Sequence, residues 1–145
     1  NLTTLNFQTD SKIIYLNLKS NKIRFIETNL FNMHSDTLMF LSLRNNTLRS
    51  VPRFERVVMT RLLDFDLSKN QIDILQNDNL LNLPNLEKLD LSSNQIISLS
   101  SNLIFRGLSN LKHLYLNKNK IGRTTGQIFS LLTKLETLEL SDNKF

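Results

Sequence analysis

Catalysis and metal binding both require reactive side chains that a fold can bring together, and this sequence supplies few. His34 and His113 lie far apart in the 145-residue chain, and there is no cysteine. A zinc site needs imidazole, thiolate or carboxylate ligands at characteristic spacings, and neither a His-Glu-x-x-His run nor a cysteine pair is present to announce one. Without cysteine this stretch also has no disulfide framework and no thiol nucleophile. Gly107, Gly122 and Gly126 form no phosphate-cradling loop, and no Gly-x-Ser-x-Gly elbow occurs. Gly122 and Gly126 are expected to relieve backbone strain in a turn. Asp64 and Asp66 stand two residues apart, close enough to raise each other's pKa, but nothing implies an enclosed pocket around them. The expectation is a non-enzymatic chain with no catalytic residue, no metal and no cofactor.

What the composition does contain is repetition. Thirty Leu and nineteen Asn stand against no Ala, Cys or Trp, a bias that points to one short motif used many times. Aligned on Leu-x-x-Leu-x-Leu-x-x-Asn-x-Leu, the chain reads Ile13/Leu16/Leu18/Asn21/Ile23, Leu38/Leu41/Leu43/Asn46/Leu48 and Leu62/Phe65/Leu67/Asn70/Ile72. It continues as Leu86/Leu89/Leu91/Asn94/Ile96, Leu111/Leu114/Leu116/Asn119/Ile121 and Leu135/Leu138/Leu140/Asn143/Phe145. Six copies therefore begin at 13, 38, 62, 86, 111 and 135, spaced by 24 or 25 residues, the last truncated. In each copy the Leu-x-Leu alternation turns the leucines to one face of a short strand and the intervening side chains to the other. A single strand cannot pair with itself. Stacking successive copies builds one parallel sheet, with strands predicted at 15–19, 40–44, 64–68, 88–92, 113–117 and 137–141, and the rest of each copy returns along the opposite side.

The asparagines Asn21, Asn46, Asn70, Asn94, Asn119 and Asn143 follow each strand at a fixed offset, where the chain leaves the sheet. An amide both donates and accepts, so these six are read as a structural ladder that satisfies turn groups and ties one coil to the next. On the return side, Phe31, Leu80 and Phe129 take the nineteenth position of their copies and Phe105 the twentieth, forming a second apolar column. The second copy breaks the column. Val51-Pro52-Arg53-Phe54 brings its aromatic two positions early and leaves Arg56 in the column, which predicts an irregular return segment.

Motif, repeat length and column together resemble the 24-residue class of leucine-rich repeats found in animal extracellular proteins, including Toll-like receptors and small proteoglycans. The resemblance covers residues 13 to 145. It implies an α/β-type solenoid: a right-handed horseshoe with one parallel β-sheet on the concave face and irregular or short helical segments on the convex face. In residues 1–12, Leu2, Leu5 and Phe7 precede Ile13 too closely for a full copy and resemble a lead-in from an N-terminal cap. Repeat arrays need polar caps, so the chain reads as a piece of a longer protein. No run approaches the roughly 18 to 20 apolar residues of a membrane span, so this segment is not expected to insert into a membrane. Asn1-Leu2-Thr3 and Asn45-Asn46-Thr47 make Asn1 and Asn45 glycosylation candidates.

Binding is the better question for a sheet with one open face. The outward positions read Tyr15, Asn17, Lys19; Phe40, Ser42, Arg44; Asp64, Asp66, Ser68; Lys88, Asp90, Ser92; His113, Tyr115, Asn117; and Thr137, Glu139, Ser141. Tyr15 and Phe40 should be neighbours with Lys19 and Arg44 beside them, an aromatic and cationic anchor. Asp64, Asp66 and Asp90 form an acidic patch relieved by Lys88, and His113 and Tyr115 with Lys112 form a mixed cluster, with Glu139 beyond. Such a chequered surface suits a protein or peptide ligand. The net charge of +5 also admits a sulfated glycan or nucleic acid. Its sources, Arg49, Arg53, Arg56 and Arg61 and then Lys112, Lys118, Lys120 and Arg123, form no continuous concave stripe, which assigns that partner to a basic edge. The reading is a recognition module of an extracellular or cell-surface receptor, innate-immune or adhesive. The alternative is a cytoplasmic scaffold mediating protein–protein interaction, and flanking sequence would decide between them.

Overall fold

The computed structural model describes residues 11–145, so Asn1 and the lead-in residues Leu2, Leu5 and Phe7 lie outside the described residues. Its strands are β1 (Tyr15–Asn17), β2 (Phe40–Ser42), β3 (Asp64–Asp66), β4 (Lys88–Asp90), β5 (Ser98–Leu99), β6 (His113–Tyr115), β7 (Arg123–Thr124) and β8 (Thr137–Glu139). A 3₁₀ helix spans Thr28–His34. Strands β1, β2, β3, β4, β6 and β8 pair in that order, all parallel, into a six-stranded sheet, and β5 pairs with β7 in a separate two-stranded one. The chain is a parallel-sheet solenoid in which each coil contributes one strand to the main sheet.

The strands of the main sheet begin at the expected residues but are three residues long rather than five. Coil-to-coil bonding continues past them: the Leu18 amide donates to the Ser42 carbonyl at 2.8 Å and the Ser20 amide to the Arg44 carbonyl at 2.9 Å. The pleat ends because the residue before each ladder asparagine is left-handed. Ser20, Asn45, Lys69, Ser93, Lys118 and Asp142 all have φ between 55° and 60°, a conformation in which L side chains crowd their own backbone.

The strand centres Leu41, Phe65, Leu89 and Leu114 are fully buried, whereas Leu138 in β8 is 36% exposed. Behind them lie the second leucines, Leu43, Leu67, Leu91 and Leu116, and the residues two past each asparagine, such as Ile72 and Ile96, all without solvent contact. Each such side chain contributes about 1.5–3 kcal/mol by leaving water. The convex column is present, with Phe31, Leu80 and Phe105 buried and Phe129 half-buried against Phe105 at a ring separation of 5.8 Å. In the second coil the chain turns Phe54 inward, 5.6 Å from Phe31 and 6.1 Å from Phe65. Arg56 then faces solvent, and residues 43–63 contain neither helix nor strand.

One local expectation changes. Gly122 and Gly126 do not adopt the left-handed backbone; Gly107 does, at φ 94°, and a Cβ there would stand 2.6 Å from the Leu81 carbonyl oxygen. That approach between coils is what requires glycine. His34 is buried, and its Nδ1 accepts a hydrogen bond from the Ile13 amide at 3.3 Å, a packing role.

Candidate ligand-binding face

The register sets the open face in rows. One row runs Tyr15, Phe40, Asp64, Lys88, His113, Thr137, and the next Asn17, Ser42, Asp66, Asp90, Tyr115, Glu139. Neighbouring side chains in a row are about 4.8 Å apart through the backbone, within reach of one another. Tyr15 and Phe40 stack with centroids 4.2 Å apart and planes 4° from parallel, and Tyr15 remains 61% exposed. Lys88 Nζ meets Asp64 Oδ2 at 3.2 Å. The other carboxylate oxygen of Asp64 is buried and accepts no hydrogen bond. Burial pushes the Asp64 carboxyl above its usual range, and Asp66 and Asp90 add to this against the opposing pull of Lys88. For Lys88, burial works to lower the pKa, but the hydrogen bond to Asp64 and its charge outweigh it and hold the amine above its usual range.

Several outward side chains are tied down by their neighbours. Arg44 does not reach back to the aromatic pair; its Nη1 donates to Ser68 Oγ at 2.5 Å. Ser68 Oγ in turn donates to Asp66 Oδ1 at 2.6 Å, and Ser42 Oγ donates to Asp66 Oδ2 at 3.3 Å. Ser42 and Ser68 are consequently buried rather than outward. A guanidinium finds its best acceptor where it can also neutralise a carboxylate through one hydroxyl, and a neutral aromatic face offers less. His113 Nδ1 lies 3.1 Å from Thr137 Oγ1, and Lys112 pairs with Glu87 at 3.0 Å. Tyr115 and Asp90 are half-buried and Glu139 is exposed.

Positioning of this row uses a device that alternation does not reveal. The side chains of Asn17, Ser42, Asp66 and Asp90 each accept the backbone amide two residues on, that of Lys19, Arg44, Ser68 and Ser92. The available signal is compositional: Asn, Ser and Asp are the residues that make such turns.

The ladder asparagines hold the coils beneath. Asn70 Nδ2 donates to the carbonyls of Leu43 (3.0 Å) and Leu67 (2.9 Å), and its Oδ1 accepts the Leu48 amide at 3.1 Å. Asn46, Asn94, Asn119 and Asn143 repeat this pattern one coil apart. Asn21 bonds to the carbonyls of its own coil, Leu18 and Lys19. Asn45 is exposed, and its Nδ2 donates to Ser20 Oγ at 3.0 Å; a glycan there would take one of the two Nδ2 hydrogens and leave one donor. Among the described residues no group of three or more His, Cys, Asp or Glu could hold a metal ion, and no helix is long and apolar enough to cross a membrane.

Coils of this length, bound edge to edge by buried asparagines under one parallel sheet, define a leucine-rich repeat protein, and the chain belongs to that family. The family profile "Leucine rich repeat" matches residues 36–96, and "Leucine Rich repeats (2 copies)" matches residues 84–128. Within the family the chain is similar to Toll-like receptor 3 of Homo sapiens, at 32% identity over 139 residues, which is 93% of this chain and 15% of that receptor. Among solved structures it is similar to the Toll–Spatzle complex of Drosophila, at 27% identity and a TM-score of 0.81 over 98% of this chain and 18% of that one. The TLR13–ssRNA13 complex matches at 27% identity and a TM-score of 0.69, over 89% of this chain and 21% of that one. The chain thus spans about a fifth or less of the length of each of these three proteins. These relatives support a module for ligand or protein recognition.

Proposed function

We propose that the chain is a non-enzymatic recognition segment of an extracellular or cell-surface receptor, and that it binds a protein or peptide ligand on the open face of its six-stranded sheet. The observation that carries this reading is the Tyr15–Phe40 stack, an aromatic platform of one exposed and one half-buried ring on β1 and β2. Two stacked rings offer contact area at little entropic cost, the character of an interface anchor. Beside it, Asp64, Asp66 and Asp90 form an acidic field that Lys88 only partly offsets, which selects for a basic group on the ligand. Relatives captured with a protein, as in the Toll–Spatzle complex, support the partner class.

A second reading is a polyanion held on the basic edge, favoured by the TLR13–ssRNA13 likeness and by the exposed arginines of the second coil. The two differ in salt response. Counterion release makes polyanion binding fall steeply with salt, while an aromatic-anchored interface weakens only modestly. A third possibility, the cytoplasmic scaffold, is separated by whether the Asn45 sequon carries a glycan in cells.

The test is binding of the parent protein to an array of secreted and cell-surface proteins, before and after Tyr15→Ala plus Phe40→Ala. Loss of about tenfold or more in affinity for the captured ligand is expected. Unchanged affinity, with binding lost on Arg53→Glu plus Arg56→Glu instead, would move the site to the basic edge.

A further inference from the structure

Away from the sheet, the irregular return of the second coil borders a cleft of about 620 Å³. The cleft lies where that coil's path departs from its neighbours', next to the stretch in which Phe54 turns inward two positions early. Ile26, Leu48 and Val51, otherwise core residues, line it, and Phe25 stands at its edge, 66% exposed. Arg24, Arg53 and Arg56 border the same cleft. Arg24 is shared with an adjoining cleft of about 410 Å³ that also holds Arg49. The acids present are Glu27 and Glu55, and Glu55 already pairs with Arg53 at 3.3 Å. Arg24, Arg49 and Arg56, all exposed, therefore leave a positive excess beside an apolar lining.

We propose that this cleft is a second binding site, separate from the sheet, for an extended acidic peptide segment of a protein partner. One apolar side chain of the peptide would rest against Phe25 and the apolar lining, and its carboxylates would run along Arg24, Arg49 and Arg56. Guanidinium groups favour carboxylates because two parallel N–H donors match two oxygens. The apolar lining is what separates this from a polyanion site: a sulfated glycan has nothing to place there, and single-stranded nucleic acid calls for a series of stacking platforms where this cleft has one aromatic. The cleft is concave and its rim is mainly polar and cationic, with Phe25 and Val57 as the apolar surface a ligand side chain can reach.

The test begins with a random peptide library displayed on phage and selected on the parent protein. Acidic sequences flanking an aromatic or aliphatic residue should be enriched. A synthetic peptide of the enriched type should lose at least about tenfold in affinity on Arg24→Glu plus Arg56→Glu, and a similar factor on Phe25→Ser. Tyr15→Ala plus Phe40→Ala should leave it unchanged, which keeps this site distinguishable from the sheet. All three cleft residues are exposed, so the variants should melt with the parent; Arg24→Gln plus Arg56→Gln repeats the experiment without charge reversal. Selection with no acidic consensus, or selected peptides that bind the charge-reversed protein equally well, would overturn the proposal. So would a heparin oligosaccharide or single-stranded RNA that binds through Arg24 and Arg56 where peptides do not.

Discussion

Tyr15 and Phe40 are directly opposed in the sheet register, and their rings lie nearly parallel at 4.2 Å. They are joined across two coils although neither is part of the core. A double-mutant cycle on stability with Tyr15→Ala and Phe40→Ala should return a coupling of about 0.5–1.5 kcal/mol, measured by chemical denaturation. Strict additivity would mean that the stack does not hold in solution.

The ladder provides a comparison within one molecule. Asn94→Ala removes an amide that serves the carbonyls of Leu67 and Leu91 and the amide of Ile72, all buried. A loss of about 1–3 kcal/mol for each group left unsatisfied is the scale to expect. Asn21→Ala should cost less, since Asn21 is only half-buried and, among the described residues, bonds only the Leu18 and Lys19 carbonyls of its own coil. Equal losses in denaturant midpoint would show that the inter-coil bonds contribute little.

The left-handed residue before each ladder asparagine represents strain repeated at every coil. Replacing Ser93, φ 55°, by Val should destabilise by about 1–2 kcal/mol, because a branched Cβ is crowded most there. Ser93→Gly should be tolerated or raise the melting temperature, since relief of strain opposes the added chain entropy of glycine. The reverse order of melting temperatures would contradict the backbone geometry.

Asp64 gives a pH signature. Its carboxyl is raised above the ordinary value of 3.8, first by burial, so the folded state holds this proton more tightly than the unfolded state does. Folded stability from this group must then fall as pH rises from about that value through the folded pKa. Asp64→Asn, which cannot titrate, should gain stability relative to the parent protein over that rise. Melting curves of both proteins at stepped acid pH check the sign, and a parent protein that gains on the variant as pH rises would refute it.

Strand centres and ladder positions were readable in the sequence because a fixed repeat length leaves only one way to stack leucines such as Leu89 and Leu114. Strand length was not, because the left-handed turn at Ser20 or Lys69 has no glycine to mark it. The pair β5–β7 escaped for a related reason: Arg123 and Thr124 are both exposed and carry no alternation. On the open face, alternation told which side chains leave the core but not where they turn. Arg44 therefore bonds Ser68 rather than joining Tyr15 and Phe40. The arginine-bordered cleft was visible only as a basic edge on an irregular coil, since its lining is assembled from the return segments of neighbouring coils and not from any motif.

Each bridging asparagine bonds its own coil and the one before it. Under load applied at the two ends, such an array has no clasp spanning its whole length, and resistance resides in one boundary at a time. A repeat of 24 or 25 residues, once detached, pays out roughly 80 Å of extended chain. Pulled in a force spectrometer, an array of such coils would lengthen in a regular staircase, one coil per step.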